Sequence, residues 1–328
     1  MEDKIYPVAV IGGGAAGVMS VLRTVLNNDE TLFFPGAPKN KKKSRALWVA
    51  KIENIPGFHD YKKGIVNPHK ETISWIEASN FKDKLHHLKN RGVEEISKSD
   101  EGHFVLKDNK GESYRAQYVI CCTGIMDVQP MISGSMDPIF PYANSQLVDY
   151  CLRCDGHHTK DKKTTVIGSG AGAAWVAIML HERYAPPSMT VLTHGEQPQF
   201  DEETLFLMDE YNIKVKTGEI TGVKGDAKEP RLEGFELENG EFCEAEFSFV
   251  SLGSIIYNEL PKSLNVDIDK RGYIPTDKWG QTNIDGFFVA GDIRAGIKNQ
   301  VYTAWDSAVD SADNINSKLR NARRPKPS

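Results

Sequence analysis

The stretch Pro7-Val8-Ala9-Val10-Ile11-Gly12-Gly13-Gly14-Ala15-Ala16-Gly17 is a short apolar run that breaks into glycines and resumes with helical spacing. Pro7 to Ile11 has the unbroken apolarity of a parallel strand buried on both faces. Ala15 to Leu26 places Val18, Leu22 and Leu26 on one helical face. Thr31 to Phe34 reads as the next strand, which completes a βαβ opening. In that setting a GxGxxG has a physical reading. Gly12 permits the tight turn, Gly14 lets a pyrophosphate approach the backbone, and Gly17 lets the helix pack closely on the strand. Ala15 and Ala16 open the helix, whose first N–H groups and partial positive charge face the phosphates.

The pattern returns in the second half of the chain. Thr164 to Ile167 is a strand, Gly168-Ser169-Gly170-Ala171-Gly172-Ala173 a second glycine turn, Ala173 to Tyr184 a helix and Met189 to Thr193 a strand. Gly168, Gly170, Ala171 and Ala173 are the expected binding positions of this turn. Two such units predict an α/β protein with two Rossmann-like, three-layer ββα dinucleotide-binding domains. Between them lie an expected long helix from Pro68 to about Asn90, strands at Val93 to Ser97 and His103 to Lys107, and the apolar strand Ala116 to Cys122. The segment Met131 to Asn144, rich in Gly, Pro and Ser, reads as a crossing between domains, and Gly253 to Tyr257 as the return. Phe287 to Val289 is a last buried strand, and a helix from about Gln300 to Leu319 closes the chain.

Composition narrows the class. At 328 residues the chain has room for about two domains of ~150 residues each. The net charge of −5 argues against a nucleic-acid partner. No apolar run approaches the ~20 residues that span a bilayer, so no membrane partner is expected. The basic run Lys39 to Lys43 reads as a solvated loop. Five cysteines, an odd and low count, point to a cytoplasmic protein whose disulfide chemistry is catalytic.

Cys151-Leu152-Arg153-Cys154 has the spacing that brings two sulfurs together across one helical turn. Arg153 favours a thiolate, and Asp155 is placed to give a proton to an outgoing thiolate. The adjacent His157 and His158 leave a zinc alternative open. No second CxxC exists and His157 follows too closely for the usual finger spacings, so a redox dithiol is preferred and no metal site is expected. Cys121, Cys122 and Cys243 lie in or beside apolar strands and read as buried, inert thiols. Gly291-Asp292 after a strand offers an acceptor to a ribose or ribityl hydroxyl. Asn299, Gln300 and Val301 start the last helix, whose N-terminus suits negative charge on a flavin.

The order of motifs resembles the low-molecular-weight thioredoxin reductases. GGGAAG, Glu53-Asn54-Ile55-Pro56-Gly57, Cys122-Thr123-Gly124, Cys151-x-x-Cys154-Asp155-Gly156, GSGAGA and Ala290-Gly291-Asp292 occur in the family's sequence. The resemblance covers about residues 6 to 319. It implies FAD held by Gly12, Gly14, Ala15, Ala16, Gly17, Asn54, Thr123, Gly124, Gly291, Asp292, Asn299, Gln300 and Val301. It implies an FAD domain of residues 1–136 and 252–328 enclosing a second domain, 137–251. Cys151 and Cys154 become the redox disulfide, Asp155 its acid, and the protein a homodimer that reduces a thioredoxin-like protein.

Several positions depart from the family, among them Asn299 in place of its usual arginine and Gly172-Ala173-Ala174-Trp175 in its second fingerprint, and the nucleotide clamp departs most. The family's His-Arg-Arg clamp for NADPH is His194-Gly195-Glu196 here, and the next basic residue is Lys214. The resemblance is therefore to a divergent branch whose donor is not NADPH, with ferredoxin or a second flavin in that role. A second dinucleotide, FAD or NADH, would occupy the second glycine turn with Glu196 near its ribose. The alternatives are an NAD(P)H-dependent reductase with an atypical pocket, and a flavin-bearing redox sensor with little turnover.

Overall fold

The structure is a computed structural model and describes residues 4–37, 44–226 and 228–325. The run Lys39 to Lys43 lies outside the described residues. The chain packs as two units. One comprises Met1–Trp48, Lys63–Met126 and Ile255–Ser328, the other Val49–Lys62 and Asp127–Ser254. The crossings thus fall at 126/127 and 254/255, and the segment Val49–Lys62 packs with the second unit. Within that unit Glu53 is bound by His157 and His158.

The first unit is built on a seven-stranded sheet. Strands Leu85–His87, Thr31–Phe34, Ile5–Ile11 and Ser113–Cys121 run side by side in parallel. The long strand Ser113–Cys121 forks: residues 113–116 pair antiparallel with Phe104–Asp108, and residues 119–121 pair parallel with Phe287–Val289. The apolar run of the first strand is explained by burial on both faces. Val8 and Val10 join the core beneath helices Ala15–Leu26 and Val301–Arg323, while Ala9 and Ile11 join the core on the opposite face. The two helices are tied by Asp313, which accepts from Arg23 Nε at 2.6 Å and from Asn27 Nδ2 at 2.9 Å.

The helix expected from Pro68 to Asn90 is shorter. It ends at Ala78, and after a 3-10 turn the chain becomes strand Leu85–His87. Ser79 is the stop: its backbone is extended, and its hydroxyl accepts from the Phe81 N–H at 3.1 Å. A side chain–backbone bond of this kind competes with continued helix. Leu85 and Leu88 therefore sit at the sheet edge.

The second unit repeats the plan. Five parallel strands run in the order Lys214–Lys216, Met189–Leu192, Thr164–Ile167, Phe247–Val250, Val148–Asp149. Helix Ala171–Tyr184 packs on one face through Ala173, Ala174, Ala177 and Ile178. A separate antiparallel sheet of Ile220–Asp226, Arg231–Leu237 and Phe242–Glu244 contributes Leu232, Phe235 and Leu237 to the core on the other face. Both units therefore have the three layers expected of Rossmann-like domains. Among the described residues no helix is long and apolar enough to cross a membrane.

Candidate functional site

In the first unit the glycine turn is fixed by lack of room. Gly12 has φ +112°, and a β-carbon there would stand 2.3 Å from the Cys122 carbonyl oxygen. At Gly17 a β-carbon would meet the Gly12 carbonyl oxygen at 1.7 Å. Gly14 caps helix Ala15–Leu26 with no side chain to bond the first amides. Those amides are left for an anion.

The other predicted positions of this unit gather around the turn. A β-carbon on Gly291 would lie 2.7 Å from that of Ala16 and 4.0 Å from that of Ala304, so turn 12–17, loop 291–292 and the start of the last helix meet there. Gly291 N–H donates to Ser307 Oγ at 3.0 Å. Thr123 Oγ1 donates to the Tyr257 carbonyl at 2.6 Å, and Gly124 has φ +71°. Gln300 is buried and begins helix Val301–Arg323 through a reciprocal cap with Thr303, while its Nε2 donates to the Asn299 carbonyl at 3.0 Å. Asp292 faces Arg45 at 3.7 Å. Asn54 lies in the segment Val49–Lys62, which packs with the second unit.

Arg45 and Ser44 border the glycine turn and Asp292, a neighbourhood that the sequence did not disclose. A β-carbon on Gly14 would lie 3.1 Å from Ser44 Oγ, so this short segment borders the glycine turn. One expected feature is missing: there is no Asp or Glu between Glu30 and Glu53, where a dinucleotide fold ordinarily supplies a carboxylate to the ribose. The cramped glycines, the bare helix N-terminus and Asp292 nonetheless fit a dinucleotide such as FAD.

In the second unit Gly168 is as constrained as Gly12. A β-carbon there would stand 2.5 Å from the Ser251 carbonyl oxygen. Gly170 faces open space and caps helix Ala171–Tyr184, again without a side-chain cap. Gln199 N–H donates to the Ser169 carbonyl at 2.7 Å, which draws residues after strand Met189–Leu192 against the turn. His194 is spent on the backbone, its Nδ1 accepting from Ile220 N–H at 2.9 Å and its Nε2 lying 3.2 Å from the Met131 carbonyl. Glu196 is exposed.

The cysteine pair is joined. Cys151 and Cys154 form a disulfide with α-carbons 5.3 Å apart. Cys151 is the N-cap of helix Leu152–Asp155, and its sulfur accepts from the Cys154 N–H at 3.2 Å. Gly156 follows because a β-carbon there would press on the Tyr184 ring at 3.2 Å. Cys121, Cys122 and Cys243 are free and buried. Burial pushes the Cys121 thiol up to about 11 and raises Cys122 and Cys243 as well, so all three are poor nucleophiles.

Beside the disulfide stands a cluster of which the sequence flagged only the two histidines as possible ligands. Glu53 Oε2 lies 2.7 Å from His157 Nε2 and 2.9 Å from His158 Nε2. His158 Nδ1 lies 3.0 Å from Asp149 Oδ2. The hydrogen bond to Asp149 raises the His158 pKa, while burial raises that of Asp149. Burial also acts to raise Glu53, but the bonds from His158 and His157 outweigh it and the carboxyl lies below its usual range.

Two nucleotide folds, one of them bearing a disulfide at a helix N-cap, define a flavoprotein oxidoreductase working on disulfides. The model of the pyridine nucleotide-disulphide oxidoreductases matches residues 6–312, and the chain belongs to that family. It is 29% identical over 315 residues to a thioredoxin reductase of Peptoclostridium litorale, covering 92% of this chain and 93% of that protein. It is 26% identical over 310 residues to one of Listeria innocua, covering 92% and 90%. Among solved structures, a putative thioredoxin reductase of Bacillus anthracis superposes with a TM-score of 0.82 at 19% identity, over 97% of this chain and all (100%) of that one. The last of these likenesses concerns the fold alone.

Proposed function

We propose that the protein is an FAD-dependent dithiol/disulfide oxidoreductase of thioredoxin-reductase type. In this reading electrons pass between the flavin and the Cys151–Cys154 pair and on to a thioredoxin-like protein, from a donor other than NADPH. The observation that carries it is the disulfide at the N-cap of helix Leu152–Asp155, within a unit that also bears a glycine turn. FAD, when bound, supplies two-electron redox chemistry. Gly12, Gly14, Gly17, Asp292 and the helix beginning at Val301 would hold it.

The chain's own residues divide the thiol chemistry. Reduction breaks the S–S bond and leaves sulfurs that need protons. The Cys151 sulfur already accepts an N–H at the helix start, so its thiolate is favoured. Cys151 is therefore the nucleophile toward the protein disulfide, and Cys154 the partner that exchanges with the flavin. Asp155 gives a proton to the leaving thiolate. Two protomers, a cytoplasmic setting and a thioredoxin-like substrate complete the proposal, on the resemblance of the chain to thioredoxin reductases.

Two features support a donor other than NADPH. No basic residue lies between His194 and Lys214. Gly195 has φ +83°, a conformation in which an arginine would be strained. Ferredoxin, NADH or a second FAD at Gly168, Gly170, Ala171 and Ala173 remains as the electron source. The test is purified, yellow protein mixed with a protein dithiol and with nucleotides. Flavin should exchange electrons with the disulfide, and Cys154→Ser should abolish that exchange. Unchanged exchange in that variant would sink the assignment, and a flavin inert to every disulfide would favour a sensor.

A further inference from the structure

We propose that Glu53, His157 and His158 form a binding site for a first-row divalent cation of the zinc class, with Asp149 orienting His158. The coordinating atoms of Glu53, His157 and His158 all lie within 4.8 Å of one another. Both Nε2 atoms approach the same oxygen, Glu53 Oε2, at 2.7 and 2.9 Å. This convergence is not what local structure gives by default. The histidines are consecutive in the 3-10 turn Gly156–Thr159, where neighbouring side chains diverge by about 120°. Here their ring centroids are 4.3 Å apart. Glu53 reaches them from a segment more than a hundred residues earlier in the chain, at |i−j| of 104 and 105.

The surroundings have the form of a metal site. A metal-bound imidazole characteristically donates its other N–H to a carboxylate, which fixes ring and tautomer. Asp149, buried, stands 3.0 Å from His158 Nδ1 and leaves Nε2 for the cation. Asp149 is spent on that contact, so Glu53 is the ligating carboxylate. Three protein ligands leave one tetrahedral position open, and His157 has half its side chain (50%) exposed to admit water there. Ligand atoms around tetrahedral zinc stand about 3.3 Å apart, so a cation would part the contacts by roughly half an ångström. Two imidazoles and one carboxylate suit zinc and its neighbours, not calcium or magnesium, which take oxygen ligands.

The site adjoins the dithiol. The carboxylates of Asp149 and Asp155 and a ring nitrogen of His158 also lie within 4.8 Å of one another. A cation would join segment 49–62 to the turn that follows the cysteines, within one unit. Cation binding here requires neither the electron donor nor turnover.

The test is calorimetric titration of the full-length flavoprotein with zinc chloride, followed by zinc analysis after dialysis. Oxidised protein is used, so that both sulfurs are held in the disulfide, and Cys151→Ser/Cys154→Ser is titrated in parallel to exclude thiol binding. One zinc per chain is expected in both, at micromolar affinity. His157→Gln and Glu53→Gln should each weaken binding at least about tenfold, and Asp149→Asn by about 10- to 100-fold. His157 is half exposed, so His157→Gln keeps the test decisive if Glu53→Gln does not fold. Flavin content and circular dichroism verify the fold of each variant. No binding below about 0.1 mM, or equal binding by wild type and His157→Gln, would overturn the proposal and leave the cluster held by protons alone.

Discussion

At the scale of single residues, the glycine turn is a steric device before it is a binding device. Gly17→Ala would drive a β-carbon to 1.7 Å from the Gly12 carbonyl oxygen, and no side-chain rotation relieves a backbone clash. The variant should be purified colourless or not at all, with a loss of several kcal/mol where it folds (roughly 3, as for other severe strain). Absorbance of the flavin per mole of protein reads this directly. His69 gives a pH prediction. Its Nε2 is buried with no hydrogen-bond partner, and burial depresses the imidazole from 6.5 to about 4. Between those values the unfolded chain binds a proton that the folded chain refuses, so stability falls as pH drops from 6.5 toward 4. The loss is at most about 3 kcal/mol. Denaturant titrations across that window should show a slope that His69→Leu removes; an equal slope in the variant would assign it to other groups. Both glycine turns and the CxxC were legible because each is a local pattern with one steric or chemical solution. Arg45 was not, nor was the meeting of Glu53 with the two histidines, since nothing local distinguishes a lone arginine after a lysine run from a solvated charge or ties a glutamate to side chains a hundred residues on.

At the scale of elements, what the sequence disclosed depended on burial from both sides. Strands Ile5–Ile11, Thr164–Ile167 and Phe287–Val289 have interiors or full lengths screened from water on both faces, and their apolar runs announce them. The stretch after Ala78 deceived because its apolar residues kept helical spacing. Ser79 ends the helix by bonding its own neighbours, and spacing alone does not register that competition. The short strands at 148–149 and 242–244 were too brief to carry a period at all. Between helices Ala15–Leu26 and Val301–Arg323 the decisive contact is Asp313, which meets both Arg23 and Asn27. Asp313→Ala should lower stability by only about 1 kcal/mol, since the pair is partly exposed and its charges are screened. Flavin content should be unchanged. A loss much larger than that, measured by denaturant midpoint, would mean that the two helices depend on this contact rather than on the alanines packed between them.

At the scale of the whole molecule, the chain carries two nucleotide folds, and in each a following loop is drawn against the glycine turn, 291–292 in the first and Gln199 in the second. In the second, the glycine geometry is intact and the loop after strand Met189–Leu192 carries no arginine. His194 is held by backbone groups, Gly195 sits at φ +83°, and Glu196 stands exposed; on the proposed function Glu196 faces the adenosine ribose. A negative group there raises the free energy of a bound 2′-phosphate but is compatible with a free ribose hydroxyl. On the proposed function, this one loop sets the choice between nucleotides. Mixed rapidly with micromolar NADPH under anaerobic conditions, the yellow protein should keep its flavin absorbance on the time scale of turnover. NADH, if it is the donor, should bleach the flavin at least about tenfold faster than NADPH, a difference of about 1.4 kcal/mol in the barrier. Glu196→Arg should then narrow that gap, because it replaces repulsion by attraction at an exposed position without touching Gly195. Flavin released on denaturation separates the remaining donors: two FAD per chain place a flavin at the second turn, whereas one leaves NADH or ferredoxin as the source. Fast bleaching of wild type by NADPH would show that the phosphate is held by groups outside this loop, and that the absence of arginines here does not set the donor.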